Sequence, residues 1–474
     1  MATNTARLIL SRTSSAATRW LCSSTATETA TKKKEATNLC RKLVAMAMQG
    51  TDAKLADTLD EWVKEGNKFK RYLVIGCVYR FRKLKKYDHA IQLYEWMDST
   101  EKSKSQLNNT DAAIRIDLLA KTVGAAAAEE YFNSLQSTGQ TKKTYGALLR
   151  CYCRENMAEK AEELFQKMRQ LNIHANSINY NNMMSLYLNA GKPEKVPSLF
   201  EQMQKNRVLP DLHTYNHLIN SYAAAKDLKA VEGVFDLMKT KNILTDWFTY
   251  GNVATIYVNA GAVKKANVVL KELERKKNVK DPEYYHTLIR LYGLTSNKDG
   301  VERAWKSLKK IFDKLDNLNY LMLLLALSKL GDIDGLEKYF REWESGALNY
   351  DIRIPNILLE SYLSRDMVAE ANLLMETASK RGTEPSLRTM NLFMNFYLKK
   401  QDVRSALEYL KAGASKLNSE KQTWFPEVES VNSFLTHFEE EKDGVSASEF
   451  SDILKSLGRL DSETEKRLNS VSGQ

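Results

Sequence analysis

The sequence predicts an all-α protein: an α-solenoid of about ten to twelve helix-turn-helix repeats, each 35 residues long. Three observations predict it. Six tyrosines, Tyr145, Tyr180, Tyr215, Tyr250, Tyr285 and Tyr320, stand 35 residues apart. Two further tracks keep that interval: Phe165, Phe200, Phe235 and Leu270, and Met168, Met203, Met238 and Leu273. So do the small apolar residues Ala161, Val196, Val231 and Ala266. A fixed period between about 20 and 50 residues marks stacked repeats, and several interleaved tracks of one spacing do not arise by chance.

Residues 177–211 show what one repeat contains. Tyr180, Met183, Met184 and Tyr187 lie at helical spacing and form one apolar stripe. Ala190-Gly191 ends that helix, because glycine enters the left-handed conformation without a Cβ penalty. Gly261, Gly331 and Asn156 hold the same phase. A second helix follows with Val196, Leu199, Phe200 and Met203 inward, and Pro210-Asp211 stops it. No strand-type alternation competes. One helix pair cannot bury its own apolar face, so neighbours must stack, and the aromatic and methionine tracks are the core between them.

The units phase as 142–176, 177–211, 212–246, 247–281, 282–316, 317–351, 352–386 and one from 387. In 282–316, Ala304 sits three places late, which predicts a longer turn between the two helices. Residues 71–105 and about 109–141 fit less well, and Leu39–Gly66 and Val428–Lys455 read as degenerate helix pairs. The expected organisation is therefore 1–34 a disordered organellar segment, 37–141 degenerate repeats, 142–421 regular repeats, and 422–474 a degenerate capping repeat and tail.

The N-terminus carries Arg7, Arg12 and Arg19 before its first acid, Glu28, among dense serine and threonine. That composition describes an organellar transit peptide, with Arg19 to Cys22 as the cleavage region. A mitochondrial matrix location is expected first and a plastid second. No later stretch is apolar enough to span a membrane, so no membrane partner is expected. The net charge is +11, and +8 once those three arginines are taken off, which suits a polyanion. The run Arg80 to Lys86 is the densest basic segment and reads first as a solvated helix end.

No catalytic constellation is present. The six histidines include no H-x-E followed by a C-x-x-C, as deaminase chemistry needs. Cys151 and Cys153 point to different faces of one helix and read as buried thiols, so no metal site, cofactor or small-molecule substrate is expected. Glu439 to Glu449 lacks the spacing of a calcium loop and reads as a turn and a helix. Candidate functional residues lie on the polar face. With Tyr180 turned to the core, Asn181 is turned away, and its amide offers both a donor and an acceptor to a base edge.

The pattern Thr214-Tyr215-Asn216-His217-Leu218-Ile219, Ala190-Gly191, Ala161 with Phe165 and Met168, then Pro210-Asp211 resembles the pentatricopeptide repeat, over roughly residues 37–456. The chain looks like short plant members of its P class. The resemblance implies a right-handed superhelix that binds single-stranded organellar RNA. It also implies that the residue after the tyrosine and the last residue of each unit read one base together. Those pairs are Gly146 with Asn176, Asn181 with Asp211, Asn216 with Asp246, Gly251 with Asp281, His286 with Asp316, Leu321 with Asp351, and Asn356 with Ser386. In the family, asparagine with aspartate favours uracil and asparagine with serine leans to cytosine. Glycine, histidine and leucine in the first place fall outside the well-behaved combinations. The repeats run 5′ to 3′, so the legible stretch is x-U-U-x-x-x-C. Residues flanking the base match Ile178, His213 and Phe248.

The expected function is RNA binding in mitochondrial RNA metabolism, acting sterically on stability, processing or translation, without catalysis. The competing expectation is a structural solenoid within a ribonucleoprotein such as the mitoribosome.

Overall fold

The structure, a computed structural model, describes residues 39–48, 55–66, 71–99 and 108–472, apart from residues 244, 277–278, 348 and 418–423. The expected transit peptide, 1–34, lies outside the described residues. Every regular element among the described residues is a helix.

The chain divides into two compact units, up to Ala230 and from Val231 onward. The first holds a helix at 39–48 and Leu55–Lys64, then Arg71–Lys83 with Tyr87–Ser99 and Asn109–Thr122 with Ala125–Ser134. Lys142–Arg154 with Ala158–Gln170, Ser177–Asn189 with Lys195–Lys205, and Leu212–Ala224 complete it. Leu228–Thr240 begins at the boundary. The second unit continues with Trp247–Asn259 and Val263–Glu274, Pro282–Leu294 and Lys298–Ile311, and Asn317–Leu330 and Ile333–Gly346. Arg353–Leu363 and Val368–Lys380, Leu387–Lys399 and Val403–Ser415, and Val428–Glu441 and Gly444–Ser456 follow. A further helix, Ser462–Ser472, occupies part of the expected tail. Within each unit, first helices of successive repeats pack on one another and on their own second helices, which makes each unit an α-solenoid.

The turns repeat as faithfully as the helices. Gly191, Gly261 and Gly331 end their helices with φ of 68°, 72° and 69°, as the sequence predicts, and Asn156 does so at 58°. Lys226, Ser296, Asp366 and Gln401 share this phase and also adopt left-handed φ of 54° to 62°. Aspartate visits this conformation readily; at Lys226, Ser296 and Gln401 the stacking imposes it, at a cost of about 1–2 kcal/mol each. One expectation fails. The turn in 282–316 is no longer than its neighbours: three residues, 295–297, separate the helices, as residues 225–227 do in 212–246. Val301, fully buried, takes the inward place that the small-residue track reserves, and Ala304 lies one helical turn further along the same face.

The core is built from aromatic contacts that cross from one repeat to the next. Phe165 meets Tyr180 edge-to-face, with ring centroids 5.3 Å apart at 84°; Phe235 meets Tyr250 at 5.3 Å and 86°; Trp305 meets Tyr320 at 5.1 Å and 65°. Edge-to-face pairs bring the positive ring edge to a negative face and fix the stacking distance. A second tyrosine series, Tyr152, Tyr187, Tyr222, Tyr257, Tyr292, Tyr362 and Tyr397, runs in step with the first and skips only Leu327. The hydroxyls of five of them reach glutamates of the preceding second helix, Tyr152 facing Glu129. Tyr292 donates to Glu274 at 2.7 Å and Tyr362 to Glu337 at 3.1 Å, while Tyr187 and Tyr257 face Glu162 and Glu232. Burial, then the facing carboxylate, pushes the Tyr187, Tyr257 and Tyr362 hydroxyls up to about 12.

Candidate nucleic-acid interface

In six repeats the last residue is the N-cap of the next first helix; after Asp351 the N-cap is Ile352 instead. Asn176, Asp211, Asp246, Asp281, Asp316 and Ser386 all cap in this way, each side chain accepting a backbone N–H of the helix that follows. A cap satisfies one of four otherwise orphaned donors, and Asp, Asn and Ser are the residues that do it best. The residue proposed to read a base is therefore bound by local helix chemistry to one place at the repeat junction.

In the repeat 177–211 this cap also holds Asn181. The Asn181 amide Nδ2 donates to Asp211 Oδ1 at 2.9 Å and Oδ2 at 3.2 Å. The Thr214 hydroxyl donates to Asn181 Oδ1 at 2.8 Å and accepts the Asp211 backbone N–H at 3.1 Å. A carboxylate only accepts, so these bonds fix which end of the amide is nitrogen. Burial alone would raise the Asp211 pKa; bonds from the Thr214 N–H and the Asn181 amide, with His213 nearby, outweigh it and hold the carboxyl below its ordinary value. The pair Asn356 and Ser386 repeats the arrangement with a hydroxyl cap. Asn356 Nδ2 donates to Ser386 Oγ at 3.1 Å, and Thr389 Oγ1 donates to Asn356 Oδ1 at 2.8 Å.

Other pairs are built differently. Gly146 has no side chain to meet Asn176; a Cβ there would lie 3.0 Å from Asn179 Nδ2, so the Asn179 amide fills that space. Gly251 likewise offers nothing to Asp281, and a Cβ would lie 3.0 Å from Thr287 Cγ2. Asp351 faces Arg353, at 2.6 Å, rather than Leu321. His286 reaches Asp316 through Asn319, whose Oδ1 lies 2.9 Å from His286 Nε2 and whose Nδ2 donates to Asp316 Oδ1 at 2.6 Å. Asn216 is buried, and Asp246 caps its helix through the Thr249 N–H at 2.9 Å.

One expectation needs correcting. The side chain in the place after the tyrosine is not simply turned outward: Asn356, which follows Pro355, is 2% exposed, His286 5% and Asn216 9%. Asn356 and His286 each sit against the start of the next first helix, where the residue three places into it bonds to them. The exposed members of the site are the flanking residues. Ile178 is 59% exposed, Phe248 39%, and His213 is also exposed. Each stands three residues before the residue after the tyrosine, on the same helical face. One helical turn beyond His213, burial pushes His217 down to about 4, with His213 as a second cause.

The threonine or asparagine three residues into six of the first helices is the member of the site that the sequence alone did not single out. Thr144, Asn179, Thr214, Thr249, Asn319 and Thr389 keep the 35-residue phase, so the signal was present. The basic run contributes less than its composition suggests: Arg82 pairs with buried Asp117 at 2.9 Å. Among the described residues no His, Cys, Asp or Glu cluster could hold a metal, and no helix is long and apolar enough to cross a membrane.

Comparison with known proteins bears on these repeats directly. The PPR repeat model matches residues 143–173, and the PPR repeat family model matches 175–224 and 210–254. A mitochondrial pentatricopeptide repeat-containing protein of Arabidopsis thaliana is 37% identical over 428 residues, 90% of this chain and 79% of its own. The chain is a pentatricopeptide repeat protein. Another pentatricopeptide repeat relative is the large ribosomal subunit protein mL101 (rPPR4) of Arabidopsis thaliana, 41% identical over 407 residues, 86% of this chain and 82% of its own. Among solved structures, the pentatricopeptide repeat protein PPR10 in complex with an 18-nt psaJ RNA element matches the fold with a TM-score of 0.58 at 14% identity. That match covers 90% of this chain and 66% of PPR10.

Proposed function

We propose that this protein binds single-stranded RNA in the mitochondrial matrix and reads it one base per repeat, acting by occupancy and without catalysis of its own. The observation that carries this is the Asn181, Asp211 and Thr214 cluster. It presents an amide in one fixed orientation at a repeat junction, three residues beyond exposed Ile178. An oriented amide is what hydrogen-bond readout of a splayed base requires. Asn181 with Asp211 and Asn216 with Asp246 are successive in phase and would read two adjacent uracils; Asn356 with Ser386 would read a cytosine four repeats beyond the second. Ile178, His213 and Phe248 would flank the bases, and Gly146, Asn176, Gly251 and Asp281 would line the same track with little base preference. The excess of basic residues supports a polyanionic partner. The mitochondrial relative supports the location, and the PPR10 complex supports RNA as the ligand of such repeats.

A second reading rests on the 41% identity to mL101: a solenoid built into the mitochondrial ribosome, where protein contacts dominate. Co-purification of the tagged protein from mitochondria separates the two. A few enriched transcripts support base reading. Ribosomal RNA together with stoichiometric ribosomal proteins supports the second reading and contradicts the first.

A further inference from the structure

Residues 66–87 contain eight lysines and arginines and no aspartate or glutamate. Lys68 and Lys70 lie outside the described residues. Arg71 and Arg82 are neutralised by the next first helix: Arg71 meets Asp111 at 2.6 Å and Arg82 meets Asp117 at 2.9 Å. Arg80, Lys83, Lys85 and Lys86 have no ion pair among the described residues. On the second helices, by contrast, lysines are matched by glutamates of a neighbouring repeat: Lys160 by Glu129 at 2.6 Å, Lys195 by Glu162 at 2.7 Å and Lys309 by Glu342 at 2.8 Å. A local excess of positive charge therefore stays uncompensated on the helix Arg71–Lys83 and the turn after it.

That helix is amphipathic in an unusual way. Leu73, Val74, Cys77, Val78 and Phe81 are buried. The opposite face carries Tyr72, Gly76, Tyr79, Arg80 and Lys83 at helical spacing, all exposed. Tyr72 is 40% exposed and Tyr79 51%. Gly76 stands between them along the stripe, and a Cβ there would meet nothing within 4 Å. Solvent-facing stripes are ordinarily polar. Two half-exposed rings among unpaired cations call for a partner with flat apolar faces and negative charge. Single-stranded RNA has both: its bases stack on aromatic rings whatever their identity, and its phosphates attract the cations. An anionic membrane would take inserted aliphatic side chains, and this stripe has none.

The placement agrees. Tyr72 is the second residue of 71–105, the place that exposed Ile178 holds in 177–211. The place that would read a base holds Ile75, which is buried. In the row of first helices, Arg71–Lys83 stands three before Ser177–Asn189.

We infer that the helix Arg71–Lys83 is a stacking platform for single-stranded RNA, with Tyr72 and Tyr79 stacking on bases of any identity and Arg80, Lys83, Lys85 and Lys86 contacting phosphates. The inference rests on RNA being the ligand and adds a contact that chooses no base. At one base per repeat, in the 5′ to 3′ order of the family, the platform holds nucleotides about three places before the first uracil.

The test is binding of the full chain to two RNAs across a range of salt, one beginning at the two uracils and one extended by about six nucleotides of mixed sequence on the 5′ side. The wild type should bind the longer RNA more tightly. Tyr72→Leu with Tyr79→Leu should weaken the longer RNA roughly fivefold or more, the scale of base–aromatic stacking, and leave the shorter one unchanged. Arg80→Gln with Lys83→Gln should lower the salt slope for the longer RNA by about 1.4, at about 0.7 per phosphate contact. A 4-thiouridine placed three positions before the first uracil should photo-crosslink to a peptide from 71–83. Thermal melts by circular dichroism confirm that the variants fold. An extension that adds no affinity, or a gain that survives the tyrosine substitutions, overturns the platform while base reading stands. So do variants that bind RNA as the wild type does but no longer retain ribosomal proteins or anionic vesicles, since the stripe then serves a different partner. Binding that ignores the uracils yet is weakened by the tyrosine substitutions supports the platform and overturns base reading. No affinity of the wild type for either RNA overturns RNA as the ligand, and the platform with it.

Discussion

Asn181 donates its side-chain amide to both carboxylate oxygens of Asp211, at 2.9 and 3.2 Å, across the junction between two repeats. Asp211 is at the same time the N-cap of the next helix. Folding and the proposed base reading would therefore share one carboxylate, and substitutions can separate the two roles.

Asp211→Ala removes the cap and the amide's partner together. Stability should fall by about 0.5–2 kcal/mol, the usual cost of a lost cap, and uracil preference should disappear at the matching base. Asp211→Asn retains a capping side chain and should leave the denaturation midpoint nearly unchanged while altering base preference. Chemical denaturation with parallel RNA binding reads both.

The turns give a purely structural prediction. Gly191 adopts φ of 68° with open space where a Cβ would project, so Gly191→Ala meets conformational cost and no clash. It should destabilise by about 1 kcal/mol. Lys226 adopts the same conformation at φ of 59° and is exposed, so Lys226→Gly should leave stability unchanged or raise it. A denaturant titration of the two variants against wild type should place their midpoints on opposite sides of it, or leave Lys226→Gly level.

The seam tyrosines predict alkaline sensitivity. Tyr187, Tyr257 and Tyr362 titrate near 12 in the folded protein, raised chiefly by burial and then by Glu162, Glu232 and Glu337. In the unfolded chain they titrate near the ordinary value of about 10. The folded state holds the extra protons, so this stability is fully present below about pH 10 and is lost as pH rises toward 12. Melting temperature should fall through that window, and tyrosinate absorbance should rise with unfolding.

Much of this was legible in the amino-acid sequence, for a physical reason. A repeat must present the same side chain to the same neighbour each time, so Tyr145 to Tyr320, the phenylalanine track and Gly191 carry the period openly. Lys226, Ser296 and Gln401 were not legible as left-handed residues, because stacking rather than residue type imposes that conformation. Val301 and Ala304 share one helical face, so counting small residues chose the wrong one. The burial of Asn356 and His286 was hidden for a different reason: a polar residue beside a core position looks exposed until its partner, three residues into the next helix, is known. That partner, Thr214 or Asn319, keeps the 35-residue phase in all but two repeats, where Tyr284 and Ile354 hold the place, and could have been read.

The central claim is that oriented side-chain amides read bases, and the most direct measurement is in vitro selection on random single-stranded RNA with the wild type and Asn216→Thr. The wild type should enrich two adjacent uracils, and Asn216→Thr should change the second toward guanine by the family's pairing, a shift of roughly 1–3 kcal/mol at one position. The salt dependence of binding should stay the same, because lysine and arginine contacts to phosphate set it. An unselective wild type, or one motif from both proteins, would contradict base reading and leave the ribosomal scaffold as the account of this chain.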